Sequence, residues 1–528
     1  MANRNILLIE PNYRNKYPPL GLMKIAQYHG LRGKMDNVRF IKGEEKFVLM
    51  TGWDRIYVAT LFSFEFDRTA AAIDFAVKAA NGQRDKVFVG GIAASLAHDR
   101  FTSERRWHGI RFIKGLLDKA PAVSLRLDDF AEELYADDRD GTPIEDLVPD
   151  YGILEQVKYR YPVRDGYFGY ASRGCIRKCN FCGVPILEGA QRDANPLTAL
   201  VSAVDALYGP KRDLILMDNN ITASARFREI IAEIRDLGFT PGAKLKREHE
   251  RVASLRRVDF NQGVDARILS RDRMYMQELA SICLSPLRIA FDHMGLREPY
   301  EKSVRMAHEF GLRELSNYML FNFRDSPTDL FERMRMNVRL NEELGIRIWS
   351  FPMRYQPVER TDRNHVGDKW TRYQLRSMQI ILQATHGIVS GNPEYFKRAF
   401  GDTSDAFDEI LFLPHDYIFF RDWYEYGDGQ SEFAEFKSLA RRLTASDRAE
   451  LLALLSSCKP SGIAGLQSKT ANPAVLRILP AYVPMSKERC DGMSRFLAAR
   501  KVALLGPSTE DAIEDAGLDD DDFGREAA

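Results

Sequence analysis

Cysteine is scarce in this sequence: six residues in 528, and none before position 175. That leaves no framework for the disulfides of a small secreted protein, and free thiols fit a reducing compartment. An excess of one charge is missing too, since 75 basic residues face 75 acidic ones. A general attraction to polyanions is therefore absent, and nucleic acid would need a local patch. No run approaches the about 18–20 apolar residues that span a bilayer. The short apolar stretch Ile6–Ile9 lacks the length and flanks of a signal peptide. The expectation is a cytoplasmic protein without a membrane partner.

What is present reads as a globular protein, with 45% hydrophobic and 28% charged residues. The length exceeds one ordinary core, so several domains are expected. In the first segment, Asn5–Ile9, Val38–Ile41, Ile56–Phe62 and Lys86–Val89 read as strands, with Leu22–His29 and Ala70–Ala80 as helices. Alternation at these lengths implies a parallel sheet covered by helices. Gly90-Gly91 follows a strand, where glycine either makes a tight turn or lets a ligand approach the backbone. From Tyr167 a strand–helix rhythm repeats six times, with strands expected at Tyr167–Ser172, Asp213–Met217, Arg257–Gly263, Leu287–Asp292, Ser316–Phe323 and Arg347–Met353. Polar residues end each of these strands, as a ligand at the carboxyl ends would require. The fold class is α/β: a Rossmann-like parallel-sheet domain (1–126), a connection (127–166), a partial (βα)6 barrel (167–360), a mostly helical C-terminal region (361–507) and an acidic tail (508–528) expected to be disordered.

Three of the six cysteines fall within eight residues, in Arg173-Gly174-Cys175-Ile176-Arg177-Lys178-Cys179-Asn180-Phe181-Cys182. Thiolates are the ligands of iron–sulfur clusters. Three on one loop suit three corners of a cube, and the basic neighbours favour the thiolate form. Structural zinc is the competing reading, but it takes four ligands, usually in two separated pairs. The nearest histidines in sequence are His108 and His249.

The spacing Cys-x3-Cys-x2-Cys, with aromatic Phe181 before the last cysteine, resembles the signature of the radical S-adenosylmethionine superfamily. The resemblance extends over about 167–357. It implies a [4Fe–4S] cluster on Cys175, Cys179 and Cys182 and S-adenosylmethionine on the fourth iron. Reductive cleavage would then give a 5′-deoxyadenosyl radical for hydrogen abstraction. It also implies an external electron donor such as flavodoxin or ferredoxin. By position, Phe181, Asp218, Asn219, Asn220, Asn261, Gln262 and Asp292 are candidates for cofactor contacts. The family's glycine-rich acidic motif after the second strand is replaced here by Asp218-Asn219-Asn220, and each strand-end residue has capping as its alternative role. Asp265-x-Arg267 reads as an internal ion pair.

An N-terminal α/β domain ahead of the cysteine loop, with Pro18-Pro19-Leu20-Gly21-Leu22 and Val89-Gly90-Gly91, resembles the cobalamin-binding subgroup. The Asp-x-His-x-x-Gly motif of histidine-ligated members is absent, and His29-Gly30 reads as a helix end. Cobalamin and a degenerate domain serving as scaffold or lid both remain open. The lack of N-terminal cysteines argues against the methylthiotransferase branch, and isolated Cys458 and Cys490 argue against a C-terminal auxiliary cluster. The basic stretch Lys244–Arg257 contains Glu248 and Glu250 and reads as a solvated loop, while Trp349, Phe351 and Tyr355 either line a pocket or fill a core. A small-molecule substrate is favoured over nucleic acid or protein. The reaction is open between cobalamin-dependent methylation and another radical transformation, and the alternative is a non-catalytic iron–sulfur or zinc sensor.

Overall fold

The computed structural model describes residues 3–118, 143–248 and 250–505. Residues 119–142, which include part of the expected connection, His249 and the acidic tail lie outside them. The chain divides into two units: Met1–Ala290 with Glu298–Leu315 and Gln356–His365, and Phe291–Arg297 with Ser316–Tyr355 and Val366–Ala528.

The first unit begins with five parallel strands, β1 (Asn5–Glu10), β2 (Asn37–Lys42), β3 (Arg55–Thr60), β4 (Val87–Gly91) and β5 (Arg111–Phe112), in the order β2-β1-β3-β4-β5. The interior strand β1 carries an unbroken apolar run, Ile6 to Ile9, that is fully buried, as strands covered on both faces must be. The connections are the helices α1 (Leu20–His29) and α2 (Phe66–Ala79) and the short α3 (Ile92–Leu96) and α4 (His98–Thr102). Ile73, Phe75 and Ala76 of α2 pack on Leu7, Ile56, Val58 and Val87, and Phe101 stacks on Trp107 with ring centroids 5.9 Å apart. The short β5 was not foreseen, because a two-residue strand carries no periodicity. The sheet order reverses between β1 and β3, the place where parallel sheets open a crevice for ligands.

Gly91 ends β4 with φ +110°, and a Cβ there would stand 2.3 Å from the Thr60 carbonyl oxygen. The turn therefore demands glycine. Gly91→Ala is expected to destabilise the protein by on the order of 1–3 kcal/mol. Chemical denaturation measures this, and an unshifted midpoint would show that the strand end relaxes freely.

His29 ends α1 as expected, with the Gly30 N–H donating to Ala26 O at 2.7 Å. Its buried ring is engaged at both nitrogens: Nδ1 lies 2.8 Å from Asp36 Oδ2 and Nε2 lies 2.9 Å from the Tyr57 hydroxyl. Burial alone would raise the Asp36 carboxyl, but hydrogen bonds from His29 and Arg4 hold it down at about 2. An ionised Asp36 only accepts, so Nδ1 carries the proton and Nε2 accepts from Tyr57. Burial holds the His29 imidazole below its ordinary value. Its folded value thus lies below the unfolded one, near about 6.5. The unfolded chain then takes up the proton first, and stability falls as pH drops through about 6.5. Denaturation midpoints measured from neutral to mildly acidic pH should show this decline in wild type and a smaller one in His29→Gln. Equal slopes would refute the assignment.

The described end of the expected connection is packed. Ile144, Tyr151, Ile153, Leu154, Val157 and Tyr161 are buried, and Gln156 Oε1 accepts from the Phe40 N–H at 2.8 Å, capping the β2 edge. Strands β6 (Gly166–Gly169), β9 (Asp213–Leu216) and β12 (Arg257–Phe260) then form a parallel sheet in the order β12-β9-β6. Two short antiparallel pairs accompany it, β7 (Ser172–Arg173) with β8 (Arg192–Asp193) and β10 (Lys244–Leu245) with β11 (Ser254–Leu255). β13 (Leu287–Arg288) follows, and parallel bridges Val258–Leu284 and Val264–Ile289 tie its neighbourhood to that of β12. The helices Leu197–Tyr208, Phe227–Asp236, Arg273–Ala280 and Arg297–Glu309 lie between these strands and the next in the chain. In the basic stretch, Arg247 pairs with Asp165 and Glu250, and the Arg256 guanidinium lies over the Phe239 ring at 3.7 Å.

In the second unit, β14 (Glu314–Phe321, nearly all of it in this unit) and β15 (Arg347–Arg354) are neighbours joined by the helix Pro327–Leu344. Ser326 starts that helix in a capping box with Asp329. Trp349 is exposed on β15 and Ile348 and Ser350 are buried. From Arg372 to Leu505 the described chain is mostly helical, as expected for the C-terminal region. Among the described residues no helix is long and apolar enough to cross a membrane.

Candidate active site

The cysteine loop is closed at its base by the β7–β8 pair, which sets Ser172 opposite Asp193 and Arg173 opposite Arg192. Gly174 enters the loop with φ +76°, and a Cβ there would lie 2.3 Å from Ala190 O, so only glycine passes. Cys175, Cys179 and Cys182 form no disulfide and are half-buried. Backbone N–H groups of the same loop donate to sulfur: Arg177 to Cys175 Sγ at 3.3 Å and Val184 to Cys182 Sγ at 3.5 Å. The Asn220 side chain adds a longer contact from Nδ2 to Cys175 Sγ at 3.8 Å. Among the described residues, no three His, Cys, Asp or Glu side chains are gathered as the ligands of a single ion. The donor set, three thiols on one loop with N–H donors turned toward two of them, fits an iron–sulfur cluster. Phe181 is half-buried between Asn180 and Cys182.

The residues after β9 each meet this loop differently. Asp218 is fully buried, with Oδ2 accepting from the Ala171 N–H at 3.0 Å and Oδ1 from both the N–H and hydroxyl of Ser172. Burial pushes its carboxyl up to about 6 against those hydrogen bonds. Its two oxygens fasten the entry to the loop. Asn219 Nδ2 donates to Glu188 Oε2 at 2.9 Å. Asn220 Oδ1 accepts from the Thr222 hydroxyl, and its carbonyl accepts from Gln191 Nε2.

Asn261, at the end of β12, donates its N–H to Leu216 O and its Nδ2 to the Tyr17 hydroxyl at 2.5 Å, while Gln262 Nε2 donates to Asn261 Oδ1 at 3.0 Å. Asp265 pairs with Arg267 at 2.8 Å, as its spacing implied, and also with Arg177 of the cysteine loop at 2.8 Å. Asp292 belongs to the second unit, where its carbonyl accepts from Arg333 Nη1 at 3.2 Å.

Several residues at this site were not foreseen. Glu188 gathers the Gly174 N–H, Asn219 and the Arg173 guanidinium. Arg173 also lies 3.5 Å from Glu145, which meets Lys24 of α1, and its guanidinium covers the Tyr170 ring at 3.7 Å. Leu96 of α3 comes against Gly183. One sequence signal marks Glu188: it is the single carboxylate between Gly174 and Arg192. Tyr17 carries none, since its partner lies 244 residues away.

No protein-family profile and no curated protein matches the sequence. Thirteen chains of solved structure match the fold. The radical S-adenosylmethionine methyltransferase TsrM from Kitasatospora setae, solved with cobalamin and a [4Fe–4S] cluster bound, matches at TM-score 0.45 and 14% identity over 68% of this chain and 77% of its own. The cobalamin-dependent S-adenosylmethionine radical enzyme OxsB matches at TM-score 0.44 and 12% identity over 98% and 83%. SuiB from Streptococcus suis, bound to precursor peptide SuiA, matches at 0.27 and 13% over 42% and 46%. These likenesses are distant, and the function is read from the residues themselves.

Proposed function

We propose that the chain is a radical S-adenosylmethionine enzyme with one [4Fe–4S] cluster on Cys175, Cys179 and Cys182. The observation that carries this reading is the pinned loop, with three thiols and N–H donors to Cys175 and Cys182. When bound, the cluster and S-adenosylmethionine supply reductive cleavage of the sulfonium and a 5′-deoxyadenosyl radical that takes hydrogen from substrate. Strands β6, β9 and β12 of the first unit are read as the part of the expected partial barrel that holds this cofactor at its carboxyl ends.

The chain's own residues orient and seclude. Asp218 fixes the loop entry through Ala171 and Ser172. Asn219, Asn220, Asn261 and Gln262 offer amide groups at the carboxyl ends of β9 and β12 for the cofactor's polar atoms. Phe62 and Ile92, 45% and 39% exposed at the ends of β3 and β4, offer apolar surface at the N-terminal sheet's carboxyl edge. We place cobalamin, as a further cofactor, against that edge, with methylation of an unactivated carbon in a small molecule as the reaction.

The test uses full-length protein reconstituted anaerobically with iron and sulfide, then given dithionite and S-adenosylmethionine. A cluster whose EPR spectrum changes on adding S-adenosylmethionine, together with 5′-deoxyadenosine, supports the reading. S-adenosylhomocysteine in the same sample identifies methyl transfer. Protein that binds zinc and takes up no iron overturns it, as does an intact cluster whose spectrum ignores S-adenosylmethionine.

A further inference from the structure

We infer that Lys24 and Glu145 tune the reduction potential of the cluster on the cysteine loop, acting through Arg173 by charge and not by contact with the cofactor. This inference rests on the proposed function and deepens it. Four charges alternate in a chain that runs from α1 to the loop entry. Lys24 Nζ lies 3.3 Å from Glu145 Oε1 and donates to the Glu145 carbonyl. The same Oε1 lies 3.5 Å from Arg173 Nη2, and Arg173 Nη1 lies 3.3 Å from Glu188 Oε1. The side chains of Lys24, Arg173 and Glu188 are at most 9% exposed, and that of Glu145 is 21% exposed. Both cations lie over the Tyr170 ring, Arg173 at 3.7 Å and Lys24 at 6.0 Å from its centroid.

This chain does more than brace the loop. Arg173 immediately precedes Gly174 and Cys175, so the charges end beside the first thiol. The buried Nε and Nη1 of Arg173 make no hydrogen bond, and the guanidinium is held there by its charge. Two carboxylates face two cations, so the chain is neutral as a whole. Glu145 is shared between Lys24 and Arg173, and removing either member of the Lys24–Glu145 pair leaves a net charge next to the loop. The potential of an iron–sulfur cluster follows the net charge around it. Buried charges are little screened by salt, so an imbalance here is felt at the thiols. A net positive charge favours the electron-rich reduced form, and a net negative charge disfavours it. The domain ahead of the cysteines thus takes part in setting the potential, through one lysine of α1.

The test is an EPR-monitored redox titration of the reconstituted holoenzyme at neutral pH without S-adenosylmethionine, with iron content per chain as the control. At a fixed solution potential, Glu145→Gln should raise the ratio of reduced to oxidised cluster and Lys24→Met should lower it. Each change should be on the order of tenfold, the effect of one unit charge across a protein interior. The double variant is neutral again, so its ratio should return close to wild type. Glu155→Gln removes a carboxylate that is 76% exposed and should leave the ratio unchanged.

A chain that only braces the loop predicts the same direction of change in both single variants and no recovery in the double variant. That pattern overturns the inference, as do unmoved ratios in both single variants or an equal shift in Glu155→Gln. If Glu145→Gln loses its cluster, Lys24→Met decides: a lowered ratio upholds the inference, and an unchanged or raised one overturns it. Loss of the cluster from both single variants assigns the chain to folding alone and also overturns it. Wild-type protein that assembles no cluster overturns the proposed function itself, a result separable from all of these.

Discussion

Cys179→Ala protein should fold, assemble little or no stable [4Fe–4S] cluster and yield no 5′-deoxyadenosine. The loss should exceed the about 100-fold drop that outer-shell substitutions at metal sites produce, because a ligand is removed and not merely its support. The expectation follows from geometry. β7 and β8 close the loop, and Asp218 and Glu188 fasten its entry, so neighbouring chain cannot swing in a replacement donor. Cys283→Ala is the informative contrast. Burial pushes the Cys283 thiol up to about 11, so it stays protonated and is a poor ligand. Iron and sulfide analysis, absorbance and product formation in the two variants separate the roles. If Cys179→Ala keeps wild-type iron and product, the cluster assignment fails. If Cys283→Ala loses both, the loop alone is not the site.

Arg333→Ala should destabilise the second unit by about 3–5 kcal/mol, the range for stranding one partner of a buried pair. Arg333 lies in the helix Pro327–Leu344 with none of its side chain exposed. Nη2 meets Asp325 Oδ2 at 2.9 Å, Nη1 donates to the carbonyls of Phe291, Asp292 and Leu320 at 3.0, 3.2 and 2.9 Å, and Nε donates to Asp329 O at 3.3 Å. Truncation leaves a buried carboxylate and several carbonyls without their donor. Arg333→Lys should fail nearly as badly, since a single ammonium cannot replace a planar fork. Arg333→Met combined with Asp325→Asn should recover part of the loss, because the stranded charge is gone. Denaturant unfolding followed by far-UV circular dichroism measures each step. A loss below about 1 kcal/mol, the level of an exposed ion pair, would show that water reaches Asp325.

Local patterns carried much of this protein. The run Asn5–Glu10 announces a buried strand because every residue from Ile6 to Ile9 is apolar, and the helix Leu20–His29 covers the stretch Leu22–His29 that reads as helical. The Cys175–Cys182 spacing is local chemistry and is legible without a fold. Asp265 and Arg267 are close enough in sequence for their pairing to be read directly.

What only tertiary structure decided are the partners distant in sequence. Asp218 and Asn219 look interchangeable as strand-end polar residues, yet one is buried beneath the loop entry and the other is held half-exposed by Glu188. Tyr17 reaches Asn261 across 244 residues, and the His29 ring at the end of α1 finds Tyr57 of β3 only because the helix packs on the sheet. The physical reason is the range of the forces. Periodicity and ligand spacing act within a few residues and leave their mark in sequence. Which buried polar groups satisfy one another depends on where packing places them, and that information is distributed over the whole core.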